Sequence, residues 1–138
     1  MTSRSLLLVV VVLVATAGSA CGARSGAGSS DEYVSRLKEA MGRSVESSDQ
    51  LQANNDLVKE VAEANSFRDM RRTEVEQRLG HAEVCGQSDL CARFELEPDD
   101  WYYFVGTRAV AVAGRVPIIL FGFDQTGRVF NTYYLTVN

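Results

Sequence analysis

The spacing of apolar residues changes once along this chain. Up to about residue 80 they recur every three or four positions, and from about Ala92 they alternate. The first spacing lines one side of a helix and the second lines one face of a strand. Tyr33, Val34, Leu37, Ala40 and Met41 predict a helix over 31–46, with Ser30 or Asp31 as its cap. Leu51, Val58, Val61 and Ala62 predict a second helix with Leu57 beside the stripe, and Ser47 with Gln50 forms a capping box ahead of it. Asp56, Lys59, Glu60 and Glu63 fall off that stripe and read as a solvated face.

A third, short helix is expected in "DMRRTEVEQRLGHAE", Asp69 to Glu83, with Asp69 as cap and Gly80 as stop. Val75 and Leu79 are its only clear apolar stripe, so it needs neighbours to hold it. The few residues around Phe67 make the second and third helices a helical hairpin or corner.

Four segments then read as strands: "ARFELEP", "WYYFVG", "RVPIILFGFD" and "GRVFNTYYLTVN". Pro117 stands near the start of the third, where a missing N–H is tolerated. Asp124-Gln125-Thr126-Gly127 predicts a hairpin between the last two. Simple alternation places Val129, Tyr133, Leu135 and Val137 on one face, opposed by Phe121 and Phe123. Helices followed by strands imply an α+β two-layer sandwich, an N-terminal helix pair packed on a three- to four-stranded antiparallel sheet. It would occupy 47–138, with the helical segment 31–46 packed on it as an extension.

The chain of 138 residues suits one modest domain after its leader is set aside. "MTSRSLLLVVVVLVATAGSAC" has Arg4, an apolar run from Leu6 to Val14, and small residues up to Cys21. That is a secretory signal over 1–20, too short in its apolar core to span a bilayer. "GSAC" resembles the lipobox of bacterial lipoproteins, which would make Cys21 the lipidated N-terminus; Gly18 stands where that motif prefers an aliphatic residue. The alternative is cleavage near Ala20 and a soluble periplasmic or secreted protein. "GARSGAGSS" is a flexible tether over 21–30, spanning roughly 15–18 Å.

Cys85 and Cys91 remain, and an even pair in an exported chain predicts a disulfide. A redox or metal pair would show C-x-x-C spacing or further ligands, and this pair has neither. The net charge is −4 and the Lys and Arg residues are scattered, which argues against nucleic acid as partner. His81, the single histidine, follows a helix-ending Gly, an ordinary place for it. Asp99-Asp100 after Pro98 reads as a turn into the Trp101 strand rather than a metal site. With no nucleophile–base arrangement and no phosphate loop, no catalytic residue, metal or cofactor is expected. Trp101, Tyr102, Tyr103, Tyr133 and Tyr134 suit recognition, with Arg71, Arg72 and Arg128 either adding charge or simply solvated; Trp101, Tyr102, Tyr134, Arg71 and Arg72 are the candidate partner-binding positions. Part of that aromatic set must lie away from the helix-covered face, as a plain half-exposed sheet surface or as an interface.

Several of these positions fall in one motif. Phe67, Met70, Glu74, Val75, Leu79 and Gly80, then Trp101-Tyr102-Tyr103, then Phe123-Asp124-Gln125-Thr126-Gly127-Arg128-Val129 match a family signature in order and spacing. The chain resembles the SmpA/OmlA family of small outer-membrane lipoproteins, which includes the BamE subunit of the β-barrel assembly machinery. The likeness covers Phe67 to Val137. The family's Gly, Thr and Pro at the short helix are Asp69, Arg71 and His81 here. The resemblance implies a non-enzymatic protein, lipid-anchored on the periplasmic side of the outer membrane. It would support β-barrel assembly or envelope integrity through contacts with envelope proteins. Related two-layer folds among secreted β-lactamase inhibitors leave a secreted or periplasmic inhibitor or sensor module as the alternative.

Overall fold

A computed structural model describes residues 29–108 and 115–137. The leader at 1–20, Cys21 and the tether up to residue 28 lie outside the described residues. Helix α1 (Ser30–Gly42) is capped by Ser29, whose hydroxyl accepts from the Glu32 N–H at 3.3 Å. The cap therefore precedes both expected candidates, and Ser29 and Ser30 belong to the helix rather than the tether. Tyr33, Val34, Leu37 and Ala40 join the same buried cluster as the later helices and the sheet. The segment 31–46 thus shares the core of the domain.

A short strand, β1 (Ser44–Val45), leads into helix α2 (Ser48–Glu63). Its cap is Ser47, whose hydroxyl accepts from the Gln50 N–H at 3.3 Å. The Gln50 side chain accepts from the Glu46 N–H at 2.7 Å, one residue before the cap. Leu57, Val58, Val61 and Ala62 are buried, and so are Asn54 and Asn55. Spacing did not indicate the two asparagines. Asn54 donates to the Val105 carbonyl at 3.1 Å. Asn55 donates to the Val137 carbonyl at 2.7 Å and accepts from its N–H at 3.1 Å. Buried amides require such partners.

Helix α3 (Arg72–Leu79) buries Val75 and Leu79 and starts later than expected. Asp69 is not its cap. Its φ is +65°, and its N–H donates to the Val129 carbonyl at 2.9 Å. The Met70 carbonyl accepts from the Val129 N–H at 2.9 Å, so the backbone of residues 69–70 is tied to Val129 in a non-helical conformation and helix begins only beyond them. The cap is Arg71, whose N–H donates to the Glu74 carboxylate at 2.7 Å. Gly80 closes the helix with φ +94°. The Lys38 ammonium donates to the Leu79 carbonyl at 2.6 Å, and the Tyr103 hydroxyl donates to the Gly80 carbonyl at 3.0 Å. Burial, with the Glu76 carboxylate adding to it, pushes the Tyr103 pKa up, so this donor keeps its proton.

The main sheet starts with β2 (Glu83–Val84). "ARFELEP" is not a strand. Cys91 and Ala92 belong to a short helix, α4 (Asp89–Ala92), and Arg93–Glu95 form a turn in which Glu95 takes φ +55°. The Cys85–Cys91 disulfide, with its Cα atoms 5.7 Å apart, precedes this turn, in which the Phe94 and Leu96 N–H groups donate to the Cys91 carbonyl at 3.0 and 3.2 Å and curl the chain. The sheet continues with β3 (Trp101–Phe104), and β4 (Thr107–Arg108) leaves it to pair in parallel with β1. Strands β5 (Ile118–Phe123) and β6 (Val129–Leu135) complete an antiparallel order β2-β3-β5-β6. The architecture is α+β, with helices packed on this four-stranded sheet.

A bulge decides which residues face the helices. Phe123 pairs with Val129, yet Gly122 pairs with Asn131, so Phe130 is the extra residue. Val129 lies on the helix-covered side with Phe121 and Phe123. Beyond the bulge, Tyr133 and Leu135 pack on the opposite side with Ile118 and Leu120, while Tyr134 packs on the helix side. Val129 therefore does not share a face with Tyr133 and Leu135, because one inserted residue reverses a period of two. The second face is partly covered by the disulfide, Leu90 and Phe94, with Phe94 stacked on Tyr133 at 5.2 Å. Among the described residues no helix is long and apolar enough to cross a membrane.

Phe67 is fully buried between helices and sheet and meets Phe121 edge-on, with ring centroids 4.8 Å apart. Phe67→Ala is expected to lower the unfolding free energy by about 3–5 kcal/mol. Urea unfolding checks this as a lower midpoint at unchanged slope. Replacing both Cys85 and Cys91 by Ser is expected to cost about 2–3 kcal/mol in the same assay, from the freed chain entropy of a short loop.

Candidate functional site

The segment that delays α3 also builds a polar concavity of the surface. The Arg72 N–H donates to the Gly127 carbonyl at 3.0 Å, and Arg71 and Arg128 face one another in an antiparallel bridge. Gly127, at φ +74°, sits in the region that favours glycine and closes the β5–β6 hairpin. Between the two strips of chain lies an open cleft of about 520 Å³ lined by Arg71, Arg72, Thr73, Thr126, Gly127 and Arg128. Every charged side chain on that lining is an arginine.

The arginines are not equivalent. Arg72 is committed to the fold: its guanidinium donates to the Asp99 carboxylate at 2.8 Å and to the Asp99 carbonyl at 2.5 Å. It lies 4.0 Å from the Phe123 ring centre and 5.3 Å from that of Trp101. The Asp100 carboxylate, 3.9 Å away, adds to its neutralisation. Asp100 itself is buried and accepts from the N–H groups of Glu97 and Phe123, each at 2.9 Å. Arg128 donates to the Asp69 carbonyl at 2.7 Å, a neutral partner. Arg71 is exposed, and among the described residues neither Arg71 nor Arg128 forms an ion pair.

The nearest hairpin carboxylate is occupied. One oxygen of Asp124 accepts from the Thr126 N–H (2.8 Å), the Thr126 hydroxyl (2.7 Å) and the Arg128 N–H (3.0 Å). The bond from the Arg128 N–H, followed by that from the Thr126 hydroxyl, holds the Asp124 carboxyl below the usual carboxylate range. Glu74 likewise spends one oxygen on the Arg71 N–H at 2.7 Å.

The candidate recognition residues do not form one surface. Arg71 and Arg72 line the cleft. Trp101 is half-buried beneath Arg72 and packs edge-on against Phe123 at 5.0 Å. Tyr102 packs on the opposite face, against the cluster that holds the disulfide. Tyr134 packs on the helix-covered face, paired with Ile119, four positions along β5 from Phe123, or roughly 13 Å at strand rise. The sequence pointed to Arg71, Arg72 and Arg128 as charge beside the aromatic residues, and the structure brings these three together in the cleft; Thr73 and Thr126 were not among the candidates. His81 is 92% exposed and lies 3.5 Å from Glu76, away from the cleft lining. A second hollow of about 210 Å³, lined by Leu90, Phe104, Ile118 and Leu135 among others, is mostly apolar. Among the described residues no three His, Cys, Asp or Glu side chains gather closely enough to hold a metal ion.

No family model, curated protein or solved structure matches this chain. The chemistry of the cleft stands on its own residues. Guanidinium groups present planar N–H forks that suit carboxylate and phosphate oxygens, and a concave cationic lining concentrates anions.

The Asp124 turn responds to acid in a defined direction. Its folded pKa lies below the unfolded one, so its contribution is present above the usual carboxylate range and is lost as pH falls through the lower, folded value. An NMR titration of the Thr126 and Arg128 amides should therefore show the turn intact at pH 5. Its midpoint should fall below the ordinary Asp value of about 3.9. Asp124→Asn should abolish that titration.

Proposed function

We propose that this chain is a non-enzymatic, protein-binding module of the cell envelope, held to a membrane by lipid on Cys21, with the arginine cleft as its contact surface. The observation that carries the binding reading is the cleft between 71–73 and 126–128, whose charged lining residues are all arginine in a chain of net charge −4. The anchor is supported by the Leu6–Val14 apolar run, the "GSAC" site and the Gly/Ser tether that follows it. The resemblance to the SmpA/OmlA family supports a finer reading, in which the membrane is the outer membrane, the partners include β-barrel assembly components, and the role is assembly or envelope integrity.

The test has two arms. Cys21→Ala is expected to move the protein from the membrane to the soluble fraction on cell fractionation, and an unchanged membrane fraction would sink the anchor. Affinity capture from detergent-solubilised membranes is expected to recover envelope proteins, barrel-assembly components among them on the finer reading. Recovery of one soluble exported enzyme instead would turn the reading to a secreted inhibitor.

A further inference from the structure

Arg71 and Arg128 stand opposite one another in an antiparallel bridge, with no carboxylate paired to either guanidinium among the described residues. Like charges placed directly across a strand pair are destabilising. Folding offers a simple remedy, an acidic residue at either position, and this chain does not use it. The acids that are near are spent elsewhere: Asp124 on the N–H groups of Thr126 and Arg128, Glu74 on the Arg71 N–H, and Asp99 on Arg72. Compensation inside the fold is partial: Asp124 attracts Arg128 from beyond ion-pair distance, and Arg71 has no ion-pair partner among the described residues, which points to further compensation from outside.

We infer that the cleft takes an acidic peptide segment of a partner protein, its carboxylates held between Arg71 and Arg128; this rests on the protein-binding reading above. The size argues for a segment rather than a single small ion, since about 520 Å³ falls in the range that holds a multi-group ligand. The division of labour among the arginines agrees. Arg72 is fixed by Asp99 and by the Trp101 and Phe123 rings, and forms a rigid floor. Arg71 is exposed and Arg128 is tied only through one bond to a carbonyl, so both forks can close on an arriving carboxylate. The Thr73 hydroxyl lies on the same lining and is a further donor for it.

The experiment is calorimetric titration of the full chain, purified in detergent, with a synthetic peptide of alternating Asp and Gly residues. Its Asn/Gly counterpart, inorganic phosphate and anionic phosphatidylglycerol vesicles serve as the other probes. The acidic peptide is expected to bind, the Asn peptide not, and the affinity to fall as salt rises. Arg71→Gln should weaken binding about tenfold, the scale of one charge-assisted contact, and Arg71→Lys should lose less. The thermal midpoint of Arg71→Gln should stay level or rise, since a like-charge contact is relieved. A fall in that midpoint would mean the pair is structural and would overturn the inference. So would binding of the peptide that ignores Arg71→Gln, or binding of phosphate or vesicles with no binding of the peptide. The two readings separate cleanly: capture of the same envelope partners by wild type and Arg71→Gln leaves the protein-binding role standing and removes the cleft from it.

Discussion

The structure depends on the pairing of residues 69–72 with residues 127–129. Asp69 and Met70 exchange backbone hydrogen bonds with Val129, and Arg72 donates to Gly127. These bonds join the helical layer to the β5–β6 hairpin, reinforced by the Arg128 guanidinium on the Asp69 carbonyl and, farther along β6, by Asn55 on the Val137 backbone. They also satisfy backbone groups of Val129 on the edge of the sheet, which would otherwise stand open to pairing with another chain. Helix α3 is too short and too poor in apolar residues to form alone. It forms because its first residue is anchored to the hairpin, while its end is held by Lys38 and Tyr103.

Core packing and surface chemistry follow from that anchor. Immediately before it, Phe67 is driven into the core against Phe121. Immediately after it, Arg72 is laid over Phe123 and Trp101, so a cation roofs the end of the hydrophobic cluster. Such stacking is worth about 0.5–1 kcal/mol at exposed sites. Asp100 completes the corner from below by accepting the Phe123 N–H, which joins the turn before β3 to the end of β5. The cleft is concave because two strips of backbone are drawn together at one edge while the arginine side chains stand along the rim. Its positive lining is thus a by-product of where the fold must be stitched.

The opposite face is organised by other means. The bulge at Phe130 turns Tyr133 and Leu135 away from the helices, and the Cys85–Cys91 loop supplies Leu90 and the turn after it Phe94 to meet them. Gly122 leaves room there for the Phe130 ring and Leu96, which would stand 3.0 Å and 3.1 Å from a Cβ and would have to shift slightly. A small domain thereby covers much of both faces of its sheet, one with helices and one with a disulfide-closed loop.

Local patterns in the sequence determined the parts whose physics is local. The helical stripes of α1 and α2, the Ser47 cap, the Gly80 stop, the Asp124–Gly127 hairpin and the α+β class are each set by neighbours a few residues away. The disulfide was legible from the even pair of cysteines left after a leader that reads as a secretory signal. Tertiary structure alone decided what distant residues impose. Asp69 leaves the cap because Val129 takes its N–H, and "ARFELEP" curls through turn hydrogen bonds onto the carbonyls of Cys91 and Ala92. Asn54 and Asn55 go inward because the Val105 and Val137 backbones need partners. Above all, Arg71 and Arg128 are 57 positions apart in the chain, numbered as they are. No periodicity links them, and only the backbone bridge makes them one site.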